Sequence, residues 1–351
     1  MGSVKDLEVI KKPTPEVMGL GRFHFSDRYS VFDWGEMPDQ IEGKGAALCM
    51  MAAYCFERLE QQSVRTHYKG VVGSDGKPVN FKESRQPSSI MEVCLVNVYN
   101  PEARTEQGKL TYDYSAYTSK LRNCLIPLEI IYRNGLPEGS SVFKRLQQGK
   151  MTFQNLGLDH YPQPGERFKK PIFDVSTKLE QTDRYLTWEE ARQIAALSNI
   201  EMIAVKAVLA KVNDTITEMA CHAKLENEDG KIELAFDQNR TLMVVDVVGT
   251  LDESRFTYEG FHVSKEIARQ FYKKTSWYQD VEEAKREAEA KGVKDWKALC
   301  KSQPPKLDPQ LKKFISQMYM AAANESTNRR LFEVPPLAKI IAKYKQNGEK
   351  T

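Results

Sequence analysis

Alternation of apolar and polar positions predicts a β-hairpin over residues 229–248. Ile232, Leu234 and Phe236 recur at a period of two, with Lys231 and Glu233 interleaved. A strand therefore gathers the apolar residues on one face and the two charges on the other. Asp237-Gln238-Asn239-Arg240 is a four-residue polar turn, and Leu242-Met243-Val244-Val245 begins a returning strand that runs to Val248. Asp246 falls inside that second apolar run. A carboxylate there is costly unless a cation meets it.

Elsewhere the period is helical. Leu48, Met51, Ala52, Cys55, Phe56 and Leu59 predict a core helix over 46–60. Thr187-Trp188-Glu189-Glu190 opens another helix with a capping box, followed by an amphipathic one over about 200–223. Lys265 and Arg269 share a helical face at i, i+4, and 281–292 reads as a charged Ala/Glu/Lys/Arg helix. Strands are expected at 22–25 and 125–134, with two or three more within 64–124. Gly19-Leu20-Gly21 reads as a turn, 162–170 as a loop, and 100–120 as a polar segment.

The chain of 351 residues could form two domains or one large one. With 41% hydrophobic and 28% charged residues it reads as a soluble globular protein. A net charge of +3, from 51 basic and 48 acidic residues, is no electrostatic footprint for nucleic acid. The cysteines at 49, 55, 94, 124, 221 and 300 include no C-x-x-C pair and suit a reduced compartment. There is no signal-peptide pattern and no apolar run approaching a membrane span, so a cytoplasmic protein without membrane or nucleic-acid partners is expected. Walker A, Rossmann, zinc-spacing and Gly-x-Ser-x-Gly patterns are absent from the sequence.

Several stretches have both an ordinary and a chemical reading. Carboxylates beside Lys231 can hold Mg²⁺ and a nucleotide's phosphates, or they can be the solvated face of a plain hairpin. Lys44 stands between Gly43 and Gly45 just before a helix, where an anion can come close. Taken alone, Ser26-Asp27-Arg28 is a polar turn, His67 a structural histidine, and Lys265 with Arg269 a solvated basic face. The run from Pro127 to Arg133 could be a buried edge strand.

Asp229-Gly230-Lys231-Ile232-Glu233, then Asp246, five residues, and Asp252-Glu253-Ser254-Arg255 resembles the C-terminal signature of the SAICAR synthetase family. Ser26-Asp27-Arg28-Tyr29-Ser30-Val31-Phe32-Asp33 resembles the family block that lines its substrate cleft. Ile41-Glu42-Gly43-Lys44-Gly45 resembles its Ile-Pro-Gly-Lys-Gly. Pro127-Leu128-Glu129-Ile130-Ile131-Tyr132-Arg133 resembles the strand leading from its adenine-binding hinge, whose arginine and a following serine hold the substrate phosphate. Ser140 stands one residue further from Arg133 than usual, which leaves Ser141 as an alternative. Pro171 to Lys178 keeps the family's Ser-Thr-Lys ending, with Asp174-Val175 in place of Thr-Pro. The opening Gly2-Ser3-Val4-Lys5-Asp6 resembles a strand that covers the ATP phosphates, with Ser3 for lysine and Lys5 for arginine. Lys265 and Arg269 match a Lys-x-x-x-Arg pair, and Val247 stands where many relatives carry Glu.

The resemblance implies an α+β, two-lobed, ATP-grasp-like fold. Residues 1–124 would form an antiparallel β-rich lid lobe with an insertion at about 100–120, residues 125–280 a larger α+β lobe, and 281–351 a helical extension. It implies ATP-dependent joining of L-aspartate to 5-amino-1-(5-phosphoribosyl)imidazole-4-carboxylate in purine synthesis, with Mg²⁺. Glu233 and Asp246 would hold the metal, and Lys231, Ser3, Lys5 and Glu129 the nucleotide. Arg133, Ser140 or Ser141, and Ser254 with Arg255 would face the substrate phosphate. Lys44, Asp33 and Asp252 would face ribose, carboxylate or incoming aspartate, with Ser26, Asp27, Arg28, Lys178, Lys265 and Arg269 in the same substrate cleft. The protein would be a monomer or homodimer with small-molecule substrates only. A paralogue using another amino acid, or a binding relative without catalysis, would share these residues. Inositol phosphate kinases share an Asp-x-Lys motif, but they need Gly and Pro where Glu233 and Leu225 stand.

Overall fold

The computed structural model describes residues 4–106, 109–291, 293 and 295–348. Ser3, expected at the nucleotide, lies outside the described residues. The first sheet contains β1 (Lys5–Lys11), β2 (Gly19–Phe25), β3 (Tyr68–Val72), β4 (Pro78–Val79) and β5 (Ile90–Leu95). Its order is β1-β2-β5-β3-β4, antiparallel throughout. Gly19 to Gly21 is not the expected turn but the start of β2, paired on both edges. A Cβ on Gly21 would lie 2.7 Å from the Glu8 carbonyl oxygen, so glycine here permits close strand approach. Behind this sheet runs α1 (Lys44–Gln61), with Ala47, Leu48, Met51, Ala52, Cys55 and Phe56 buried.

In the 100–120 segment, β6 (Glu102–Glu106) and β7 (Lys109–Asp113) form a separate hairpin. The second sheet contains β8 (Cys124–Leu136), β9 (Glu166–Thr177), β10 (Glu226–Phe236), β11 (Leu242–Val245), β12 (Ser254–Tyr258) and β13 (Phe261–His262). Its order is β13-β12-β10-β8-β9, and β11 pairs with β10. The strand carrying Arg133 is therefore interior rather than an edge. Pro127, which has no N–H to give, sits where the β8–β10 register shifts between Glu233 and Ala235. Glu166 and Arg167 pair with Leu136 and Gly135, so β9 takes up half of the expected 162–170 loop.

The helices that follow α1 are α2 (Ser141–Gln147), α3 (Trp188–Ile194), α4 (Asn199–His222), α5 (Glu266–Lys273), α6 (Ser276–Lys291), α7 (Pro309–Ser326) and α8 (Leu337–Gly348). Both α3 and α4 begin with capping boxes, at Thr187 with Glu190 and at Ser198 with Glu201. α4 covers β8 and β10, and α7 lies against α1 and α4. Phe314, Ile315, Met318 and Tyr319 of α7 and Leu337, Ile340 and Ile341 of α8 join the main hydrophobic core, which also contains residues of both sheets. No single helix among the described residues is long and apolar enough to cross a membrane.

The sheets meet at a seam. The His67 N–H donates to the Val244 carbonyl at 3.0 Å, and the Val244 N–H to the Arg65 carbonyl at 2.9 Å. There β11 stops at Val245, and Asp246, expected inside a strand, turns out of it with φ 63°. Val244 pairs with Leu234 of β10 on one edge and with residues 65–67 on the other, so β11 ties the two sheets together just before Asp246.

Candidate active site

Register builds the first cluster. Glu233 on β10 stands opposite Glu129 on β8, and Leu128 of β8 stands opposite Thr177 of β9. Lys178 follows immediately, with its ammonium 2.6 Å from Glu233 and 3.1 Å from Glu129. Lys231, two residues before Glu233 on the same face, lies 2.7 Å from Glu129 and 3.8 Å from Glu253. Lys5 of β1 reaches across the seam to Asp246 at 2.7 Å, over the Phe23 ring. Residues expected at nucleotide, metal and substrate thus form one cluster of three lysines and four carboxylates.

The carboxylates are not equivalent. Burial, and then the charge of Asp246, push Glu233 up to about 7 despite Lys178. Burial also acts to raise Asp246 and Glu129, but the neighbouring lysines outweigh it and hold both below the usual range. Burial acts to lower Lys178 and Lys231, and the acids around them overcome it, so both ammoniums are held above their ordinary value. A further cation would relieve the repulsion between Glu233 and Asp246. Among the described residues no three His, Cys, Asp or Glu side chains converge as a metal cage. Two carboxylates with phosphate oxygens and water are the donor set Mg²⁺ commonly uses, so the residues fit that ion.

A second cluster surrounds Arg133, which is only 2% exposed. Its guanidinium lies 3.0 Å from Asp174 and 3.3 Å from Asp229, and donates to the Ser141 hydroxyl at 3.4 Å. Arg255 holds Asp229 through two nitrogens, and Arg145 pairs with Asp174. The two candidate serines have different partners. Ser140 caps α2 by accepting from the Val142 N–H, while Ser141 lies between Arg133 and the Tyr185 hydroxyl. Three arginines against two buried aspartates leave net positive charge. Ser254 is turned inward to the Tyr132 hydroxyl at 3.0 Å, above Gly230, where a Cβ would collide with both. That crossing explains a glycine in mid-strand.

The third cluster is Lys44 with Asp252, 2.7 Å apart, Lys44 being 1% exposed. Asp27 accepts from the Gly43 and Gly45 N–H groups at 3.1 and 2.9 Å and so shapes the turn that carries Lys44. Lys265 lies near Asp252 and Glu253, yet its ammonium makes no hydrogen bond or ion pair among the described residues. Burial lowers its pKa against the pull of those acids. Arg269 turns to Glu266 at 3.3 Å. Ser26 donates to the Val4 carbonyl, Arg28 pairs with Asp6, and exposed Asp33 pairs with Lys285, so none of the three joins these clusters directly.

Pattern reading missed Asp174, Asp229, Arg145, Tyr185 and Tyr319 as partners. Asp174 and Asp229 stood inside recognised blocks. The others come from segments without a chemical motif. His67, read as structural, donates from Nε2 to the Asp246 carbonyl at 3.0 Å and packs between Phe23 and Phe56. The neutral ring must carry its proton on Nε2 to serve that carbonyl. Burial pulls its pKa from 6.5 to about 4. The stability this neutral histidine contributes is complete above 6.5 and is lost as pH falls toward 4, a swing of about 3 kcal/mol. Urea unfolding of His67→Gln should show that much less change between pH 7 and pH 4 than the wild type. An identical pH dependence would assign the loss to other groups.

Comparison with known proteins completes the picture. A sequence model of the SAICAR synthetase family matches residues 14–290. A putative phosphoribosylaminoimidazole-succinocarboxamide synthase of Archaeoglobus fulgidus is 46% identical over 346 residues, covering 99% of both chains. The Thermoplasma volcanium synthase is 30% identical over 263 residues, covering 73% of this chain and 79% of that one. Among solved structures, the Saccharomyces cerevisiae SAICAR synthase complexed with SAICAR superposes with a TM-score of 0.61 at 19% identity, covering 94% of each chain. A type-2 SAICAR synthetase in complex with ADP gives 0.54 at 18% identity, covering 88% of this chain and 99% of that one. At such identity these two establish the shared α+β fold. With four fifths of its length matched and a close relative end to end, the chain belongs to the SAICAR synthetase family.

Proposed function

We propose that this protein joins L-aspartate to 5-amino-1-(5-phosphoribosyl)imidazole-4-carboxylate, converting ATP to ADP and phosphate. The observation that carries the reading is the seam cluster, where Lys5, Lys178 and Lys231 gather around Glu129, Glu233 and Asp246 in a chain of this family. A carboxylate resists amines because its oxygen is a poor leaving group. Transfer of the γ-phosphoryl group to that oxygen makes an acyl phosphate and releases ADP. The aspartate nitrogen then attacks the carbonyl carbon, phosphate leaves with the C–O electron pair, and the nitrogen loses a proton. Such phosphoryl transfer needs positioning and charge neutralisation above all.

In this reading Lys231 and Lys5 neutralise nucleotide phosphates, with Glu129 holding Lys231, Asp246 holding Lys5 and Lys178 holding Glu233 in register. Glu233 and Asp246 would hold Mg²⁺, which would neutralise developing phosphate charge when bound. Arg133, Arg255 and Ser141 would receive the ribotide phosphate, the net positive charge of their cluster favouring a dianion. Lys44, Asp252 and the unpaired Lys265 would face the carboxylates of the ribotide and of aspartate. The same reading gives a cytoplasmic enzyme, monomeric or homodimeric, whose partners are its small-molecule substrates.

An ADP-release assay with ATP, Mg²⁺, ribotide and L-aspartate tests this directly. ADP should form only with the ribotide present, and a product of the expected succinocarboxamide mass only when aspartate is added. Rapid ATP hydrolysis without ribotide would sink the acyl-phosphate scheme. Faster amide formation with another amino acid would identify a paralogue.

A further inference from the structure

We propose that α7, far along the chain from every motif of the site, is a positioning element of it, and that the Tyr319 hydroxyl fixes Asp252 against Lys44. The Tyr319 O–H donates to Asp252 Oδ1 at 2.6 Å while Lys44 occupies Oδ2 at 2.7 Å, so each carboxylate oxygen has one partner. The Lys44 ammonium also lies 5.5 Å from the centre of the Tyr319 ring. Two neighbours on the same helical face act on the turn before Lys44. Ser316 donates to the Glu42 carbonyl at 2.6 Å, and the Met320 sulfur lies 2.8 Å from where a Cβ on Gly43 would stand. Gly43 has φ 77°, so this turn both needs glycine and is roofed by α7. Residues 316, 319 and 320 share one face by helical spacing.

A lone carboxylate–ammonium pair can swing between several geometries. A third group on the free oxygen, carried by a helix packed into the core, leaves one. Tyr319 touches neither proposed substrate position itself, so it acts through Asp252 and Lys44. Its phenol stays protonated, since burial and then the adjacent Asp252 charge raise its pKa far above the ordinary value. The groups facing Asp252 are Lys44 from α1, Lys265 ahead of α5 and Tyr319 from α7, with Glu253 beside it and Arg269 near the phenol. Burial acts to raise the Asp252 pKa, and Lys44, Lys265 and the phenol together bring it below the usual range.

The inference rests on the proposed ligase reading for its readout, and Tyr319→Phe tests it. The ring and its packing remain, and only the donor is lost. The KM for L-aspartate or for the ribotide should rise roughly tenfold, the lower end for a hydrogen bond to a charged group, with the ATP KM unchanged. The acid limb of kcat/KM should move to higher pH. In an Asp252→Asn background the same substitution should add no further change, as a residue acting through Asp252 requires. Unchanged KM values and an unshifted acid limb in a well-folded Tyr319→Phe would overturn the proposal. So would effects of equal size in both backgrounds. A wild-type protein that releases no ADP with ribotide and aspartate would instead overturn the ligase reading, so the two failures are distinct.

Discussion

Turnover with magnesium–ATP is expected to fall by about a hundredfold to a thousandfold in Glu233→Gln and in Asp246→Asn, with both chains still folded. That size matches removal of one preorganised charge contact to a developing transition-state charge. Both substitutions preserve shape and delete charge, so they isolate electrostatics from packing. Glu233 is buried and pushed up to about 7, its burial and the charge of Asp246 both opposing ionisation, so an amide there relieves repulsion. Glu233→Gln should therefore melt no earlier than the wild type. Asp246→Asn removes the partner of Lys5, a pair whose side chains are both partly exposed, and should melt slightly earlier. Activity measured against Mg²⁺ concentration separates metal loss from nucleotide loss. If both variants turned over at near wild-type rates at limiting Mg²⁺, these two carboxylates would not be the metal's ligands.

Arg133→Leu is expected to cost about 1–3 kcal/mol of stability, since Asp174 keeps Arg145 and Asp229 keeps Arg255 while each loses a buried charged donor. Asp174 and Asp229 are both buried, and among the described residues Arg133 is the one guanidinium that touches both. Urea unfolding measures this directly. Arg133→Lys separates the structural from the recognition role. It keeps the charge but cannot span two carboxylates and a phosphate with a rigid fork. Its kcat/KM for the ribotide should fall roughly tenfold to a hundredfold, while ATP binding measured without ribotide stays nearly constant. Weakened ATP binding with an untouched ribotide KM would move Arg133 to the nucleotide side of the cleft. A Leu variant as stable as the wild type would mean that Arg145 and Arg255 alone suffice for the two aspartates.

Much of this molecule was already determined by local pattern. Period-two alternation put Lys231 and Glu233 on one face of β10, and the 3.6 period picked out Leu48, Met51, Ala52, Cys55, Phe56 and Leu59 of α1, all buried, while α7 and α4 help to bury its other sides. The ordered motifs identified the family before any coordinate, because spacing along one strand or one turn is itself a geometric constraint. Tertiary structure decided everything that joins segments. The Gly19–Gly21 stretch became strand because β1 and β5 approach it from both edges. Asp246 meets Lys5 and His67 because residues 65–67 pair with the outer edge of Val244 and join the two sheets there, which no window around 246 contains. That Ser140 caps α2 while Ser141 meets Arg133 is likewise a matter of how α2 is set against the sheet. Tyr319 carries no sequence motif, since its role depends on a contact to Asp252 across 67 residues of chain and to a turn far closer to the start. Side-chain period is a property of one element, whereas a site at a seam is a property of how elements pack. Sequence alone therefore determined which residues could do the chemistry, and packing determined which of them meet.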